Sequence, residues 1–200
     1  PGPPGQLVMA AALLKELNAN GFVSSAVLDA SGKVVEAKGC VIENVKAENG
    51  TLAFSRLDNS IIFPIPDDAS AVINLFPTIL ELSQYSLKVN GLAAERYALK
   101  INGTEVATVT SKELESGINL TAFAQGPMAA QGKAVLNAVA AKEGIVGQWR
   151  GQSRTASAAD ASAEMKQKLA ATAKSVEDAD EKIRSAAKPL KWMFELAPAK

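Results

Sequence analysis

The chain has 200 residues, with 21 Lys or Arg, 21 Asp or Glu and no histidine, so its formal net charge is zero. Without an imidazole, this polypeptide alone cannot assemble a Ser-His-Asp or Cys-His nucleophile system or a His-liganded metal site, and the lone Cys40 supports neither a four-thiolate site nor an intramolecular disulfide. A neutral chain also argues against nucleic acid as the main partner, because phosphates are met by basic surfaces.

Hydrophobic residues make up 48% of the chain, enough for one sizeable core with an appendage. The longest apolar run, LVMAAALL at 7–14, has eight residues, well short of the ~18 that suggest a membrane span. The N-terminus reads PGPPG, which is not a signal peptide and carries no initiator Met. It predicts a processed chain or one that begins part-way through a longer gene product.

In chain order, residues 1–21 predict a short loop and one helix. Pro3 and Pro4 suit a first helical turn, Leu7, Val8, Ala11, Leu14 and Leu17 share one face, and Asn18, Asn20 and Gly21 stop it. Residues 22–123 predict antiparallel β-structure with two-residue turns at Ser31-Gly32, Asn49-Gly50 and Asn102-Gly103. Tyr97, Leu99 and Ile101 alternate with Ala98 and Lys100, and Tyr85, Leu87 and Val89 alternate in the same way. Pro64, Pro66 and Pro77 make 63–78 a long loop rather than a central strand. Residues 111–116 read as a short helical turn ended by Gly117.

Residues 124–200 predict a helical region. One helix opens at Gly126-Pro127 and ends near Trp149; a polar Gly/Ser stretch at 151–157 separates it from a second helix over 158–186. Met165, Leu169, Thr172, Val176, Ala179 and Ile183 form a heptad-like seam on that helix, suited to packing on the chain's own β-region or to dimerisation. Pro189 ends it, and KWMFEL at 191–196 predicts a final strand.

Few residues suggest chemistry. Asp67-Asp68 suits a turn or a helix N-terminus, and Glu177, Asp178, Asp180 and Glu181 suit a solvated helix face. Ser185 and Lys188 have Ser-x-x-Lys spacing but end a helix. Asn49, Asn102 and Asn119 match N-x-[ST], but the first two are explained as turns. Cys40 reads as a small apolar filler in a strand, and Trp149 and Trp192 as packing residues, with a sugar-stacking surface as the alternative. No phosphate-binding glycine loop or calcium loop is present, so no catalytic, cofactor-binding or metal-ligating residue is assigned.

The opening PGPPGQLVMAAALLKEL resembles the segment just past the Asp-x-x-His block of SGNH (GDSL-type) hydrolases, through Pro1, Gly5, Met9, Ala10, Leu13 and Leu17. LKVNGLAAERYALKINGTEVATVTSKELESGINL resembles the tail of a bacterial subgroup of these esterase-like proteins. There Tyr97, Leu99, Ile101 and Gly103 fill a Y-x-L-x-I-x-G pattern, and Gly117, Ile118, Asn119 and Leu120 a G-[VI]-N-L pattern. GPMAAQGKAVLNAV, with Pro127, Met128 and Gln131, and the closing WMFELAP continue the series, so the resemblance covers almost the whole chain. It implies a parent that performs acyl transfer: Ser attacks an ester carbonyl, His serves as base and then acid, and Asp orients it. The parent's Asp and His would fall immediately before Pro1 and its Ser in earlier blocks, so no catalytic residue carries over.

The expected fold is α+β: 1–21 as an N-terminal helix resembling the last helix of an SGNH core, 22–123 as an antiparallel, sandwich-like region, and 124–200 as helices with a closing strand. The expected function is that of the C-terminal part of an esterase-like acyl hydrolase, inactive alone. An interaction or carbohydrate-binding module, or an ester hydrolase active by other means, is the alternative. The expected partners are an ester or glycan ligand and a second copy of the chain, bound through the first helix or the 165–183 seam.

Overall fold

The computed structural model describes residues 2–157 and 161–199, arranged as an α+β fold whose sheets are mostly antiparallel. Pro1, part of the opening motif, and the expected helix start at 158 lie outside the described residues. The chain divides into two compact units, Pro1–Gly132 with Pro189–Lys200, and Lys133–Lys188.

In the first unit, helix α1 spans Pro3–Glu16, with proline in its first turn and Asn18 at φ 54° beyond its end. Among the described residues, nine strands follow: β1 (Phe22–Asp29), β2 (Val34–Lys38), β3 (Cys40–Glu48), β4 (Thr51–Asp58), β5 (Gln84–Asn90), β6 (Arg96–Ile101), β7 (Thr104–Thr110), β8 (Ile118–Asn119) and, far along the chain, β9 (Lys191–Pro198). They form two sheets ordered β2-β1-β5-β8 and β3-β4-β9-β6-β7. The expected hairpin turns are in place: Asn49 and Gly50, and Asn102 and Gly103, all have positive φ, as type I′ turns require. At the first turn, Asp29 Oδ1 accepts from the Ser31 and Lys33 amides at 2.9 and 3.1 Å, while Gly32 takes φ 89°.

Strand alternation then decides the core. Tyr85, Leu87 and Val89 from one sheet face Tyr97, Leu99 and Ile101 from the other, all buried. Within the second sheet, Phe54 and Phe194 are cross-strand partners whose rings stack at 5.2 Å, joining β4 to β9. One pairing departs from the antiparallel expectation: β1 and β5 run parallel. After β2, the chain leaves the first sheet to build β3 and β4 and re-enters only at β5, the long crossover that a parallel pair needs.

The proline-rich stretch after β4 contains no strand, as expected, but it is not plain loop. It holds 3-10 helices at Asp67–Asn74 and Pro77–Leu82, with Asp67 and Asp68 in the first turn of the former. Ala69, Val72 and Ile79 from these segments meet Leu7 and Ala11 of α1 in a small cluster distinct from the main core. Helix α2 (Ser111–Ser116) carries a full capping box: Thr110 Oγ1 accepts from the Glu113 amide at 3.2 Å, and Glu113 Oε2 accepts from the Thr110 amide at 2.7 Å.

Helix α3 (Pro127–Ala156) runs past Trp149 through most of the stretch expected to separate two helices. Glycine in a helix costs only about 1 kcal/mol, and no proline interrupts the series, so Gly151 does not end it. Helix α4 (Ala163–Ala186) begins after 158, at Ser162, whose Oγ accepts from the Met165 amide at 3.2 Å. In the second unit the seam is legible: Leu169, Thr172, Val176 and Ile183 are half-buried and Ala179 is buried, while Met165 is exposed. Asp180 is not merely solvated, because Lys142 Nζ of α3 donates to it at 2.6 Å.

Two glycines have opposite predicted effects. A Cβ on Gly147 within α3 meets nothing within 4 Å, so Gly147→Ala is expected to raise stability by about 0.5–1 kcal/mol. A Cβ on Gly21 falls 1.9 Å from the Glu81 carbonyl oxygen, so Gly21→Ala is expected to cost about 1–3 kcal/mol. Urea unfolding followed by circular dichroism checks both.

Candidate functional site

The densest polar chemistry lies between the two sheets. In β4, Leu52, Phe54, Arg56 and Asp58 occupy successive inward positions, so the alternation carries two charges into the core. Arg56 is fully buried; its Nε donates to Asp58 Oδ1 at 2.9 Å, its Nη1 to the Ser86 carbonyl at 2.9 Å and its Nη2 to Ser24 Oγ at 2.8 Å. Ser24 lies on β1 and Ser86 on β5, so one guanidinium from the second sheet is held by two strands of the first. Its Cζ stands 4.6 Å from the centroid of the Tyr85 ring, and the Tyr85 hydroxyl donates to Asp58 Oδ2. Burial, followed by the adjacent Asp58 carboxylate, holds the Tyr85 phenol well above its ordinary range, so it stays a proton donor.

A cleft opens beside this cluster, bordered by Asp58, Ile62, Tyr85, Met128, Gln131 and Trp192. Its cavity is about 10 Å³, room for a single water rather than a substrate. Shallow recesses of about 210 Å³ at Ser86–Asn119 and about 260 Å³ beside the Lys15–Glu81 ion pair bring together no nucleophile with a general base. Among the described residues, no three His, Cys, Asp or Glu side chains gather as metal ligands.

The residues singled out from the sequence do not converge on one site. Cys40 opens β3, half-buried, with Sγ 3.5 Å from the Ser25 carbonyl; burial pushes its thiol pKa up, away from reactive thiolate. Trp192 is 8% exposed and belongs to the core of the first unit, which withdraws its ring from a stacking surface, while Trp149 on α3 is 37% exposed. Asn119 is a structural hub. Its Nδ2 donates to the Leu80 and Ser83 carbonyls at 3.2 and 3.0 Å, and its Oδ1 accepts from the Tyr85 and Thr121 amides at 3.1 Å each. With both amide protons spent internally, Asn119 is not a glycan acceptor. No motif marks Arg56 or Asp58, and Tyr85 reads from the sequence only as one position in an alternating strand. A signal exists all the same: extending the alternation of Leu52 and Phe54 by four residues puts Arg56 and Asp58 on the inward face.

The other feature open to function is apolar. Opposite its packed face, α1 presents Met9 and Leu13 at 63% and 61% exposure; Leu14 and Leu17, expected on the packed face, are also exposed, Leu17 because it caps the helix end rather than continuing it.

No protein-family profile matches the chain, and comparison with curated proteins gives no match. Among solved structures, a gut microbial diltiazem-metabolizing enzyme has the same fold, with a TM-score of 0.79 at 20% identity over the whole of this chain. The match takes in 55% of that enzyme, so the chain spans about half its length.

Removing either partner of Asp58 should be costly. Arg56→Ala strands a buried carboxylate and is expected to lower stability by about 3–5 kcal/mol; Tyr85→Phe removes one donor, for about 1–3 kcal/mol. Because the folded state holds the Tyr85 proton more tightly than the unfolded chain does, that contribution is complete below the free phenol pKa of about 10 and declines as pH rises above it. Urea midpoints measured across the alkaline range should fall more steeply for the parent chain than for Tyr85→Phe.

Proposed function

We propose that this chain is the C-terminal part of an SGNH (GDSL-type) ester-hydrolase-like protein and that alone it does not hydrolyse esters. The observation that carries the reading is the fold match running end to end through this chain and through about half of an enzyme. The ordered motifs support the same reading: Asn119 of the G-[VI]-N-L pattern is the hub joining β5 to the second 3-10 helix, and Tyr97, Leu99 and Ile101 of the Y-x-L-x-I pattern are core residues. In this reading the nucleophilic Ser, the His base and its Asp come from the parent's other part, and the oxyanion of the tetrahedral intermediate is stabilised there. The β-sandwich contributes a rigid wall beside that site. The open stripe of α1 fits a helix that shares a second apolar layer with the catalytic part, and in the isolated chain it is the surface for self-association.

The isolated chain is expected to turn over p-nitrophenyl acetate no faster than a chain-free control and to resist labelling by a serine-directed phosphonate. Turnover that the phosphonate abolishes would sink the reading. Size-exclusion chromatography with light scattering is expected to show concentration-dependent association that Leu13→Glu removes; a monomer at every concentration would count against the role given to α1.

A further inference from the structure

The two Asn-Gly hairpins form an internal comparison. Both asparagines are exposed and lie on nearly the same backbone, with φ of 50° and 77° at Asn49 and Gly50 and 48° and 78° at Asn102 and Gly103. Their tethering differs. The Asn102 amide donates to the Met193 carbonyl at 2.8 Å, and Asn102 Oδ1 accepts from the Met193 amide at 2.8 Å, so strand β9 fixes the side chain as well as the main chain. Among the described residues, neither the Asn49 side chain nor the Gly50 amide has a hydrogen-bond partner, because the hairpin closes through the Glu48 and Thr51 pair.

We propose that Asn49 is a site of spontaneous covalent modification, cyclising through Gly50 to a succinimide and opening to aspartate or isoaspartate, and that Asn102 is protected. The Gly50 nitrogen attacks Asn49 Cγ, forming the N–Cγ bond. The Cγ–Nδ2 bond breaks, and Nδ2 leaves as ammonia carrying the proton lost by the Gly50 nitrogen. Water then opens the imide at one of its two carbonyls, giving aspartate or isoaspartate. The net change is amide plus water to carboxylate plus ammonium, and it needs no oxidant or partner. Gly50 permits the attack because no Cβ crowds its nitrogen. At Asn102 the same rotation of the side chain first breaks the bond from the Met193 amide. The product adds a negative charge to a chain whose formal net charge is zero, and isoaspartate also inserts a methylene into the two-residue turn that sets the β3–β4 register.

The test is peptide mapping by mass spectrometry of the folded chain, aged at mildly alkaline pH in heavy-oxygen water, with a urea-unfolded sample alongside. Asn49 is expected to convert about tenfold faster than Asn102 when folded, a ratio set by one hydrogen bond. The difference should vanish in urea, and the folded product should appear as a more acidic peak on anion exchange. The proposal is overturned if Asn102 converts as fast in the folded chain, if Asn49 stays intact while the unfolded control converts, or if the difference persists in urea.

Discussion

A guanidinium enclosed between two sheets must find hydrogen-bond acceptors or the fold does not close. Arg56 finds them in Asp58, in the Ser86 carbonyl and in Ser24, which lie on three different strands. Such a pair contributes little net stability, because the desolvation of two charges offsets most of their attraction. What it supplies is position. Slipping β4 by one residue would carry Leu52, Phe54, Arg56 and Asp58 to the other face together, removing the Asp58 acceptor from the buried Tyr85 hydroxyl and the Arg56 donors from Ser24 and the Ser86 carbonyl. The register of β5 beside β1 is consistent with the same constraint: it sets Ser24 beside Tyr85 and Ser25 beside Ser86, so that the Ser24 hydroxyl and the Ser86 carbonyl both reach Arg56.

A second polar centre does for the connecting segments what Arg56 does for the sheets. The stretch from β4 to β5 is interrupted by Pro64, Pro66 and Pro77 and holds two 3-10 helices whose ends need outside partners. Asn119 supplies them at the end of the second, donating to the Leu80 and Ser83 carbonyls and accepting from the Tyr85 amide at the start of β5. The Ser83 and Thr121 hydroxyls meet at 2.9 Å beside it. These segments then give α1 the small apolar surface on which Leu7 and Ala11 rest.

The features legible in the sequence are local. Asn-Gly turns, two-residue alternation and the short helix between Ser111 and Gly117 depend on neighbours within a few residues, and all appear where expected. The placement of β9 between β4 and β6 is not legible, since KWMFEL carries no sign of which strands it joins; the Phe54–Phe194 stack is a contact across 140 positions of chain, 54 to 194. The Arg56 cluster is legible only in part: the alternation of Leu52 and Phe54 extends to Arg56 and Asp58, but a charged residue in a strand ordinarily marks the solvent side, and its partners Ser24, Tyr85 and Ser86 are set by the packed sheet. The extension of α3 past Trp149 escapes for the opposite reason: glycine looks like a helix stop, yet its cost of about 1 kcal/mol is too small to end a long helix by itself.

The distribution of satisfied and unsatisfied groups bears directly on function. Catalysis needs polar groups held ready and left partly unspent, so that they can engage a substrate. In the inter-sheet cluster and at Asn119 the polar groups serve one another: Asp58 holds Arg56 and Tyr85, the Asn119 side chain spends its hydrogen-bonding capacity on the backbone, and the cleft beside Asp58 has room for one water, whereas Thr78 Oγ1 and Gln152 Oε1 are buried without a partner. An apolar surplus lies on α1, where Met9 and Leu13, with Leu17 just past the helix end, face solvent while the other side is already packed. The chain has no histidine, its inter-sheet polar network is turned inward and the apolar stripe of α1 is turned outward; the proposed supporting role rests on these three features. Fold likeness to an enzyme carries no activity without the groups that perform it, so what the match supplies is the architecture on which these groups are arranged.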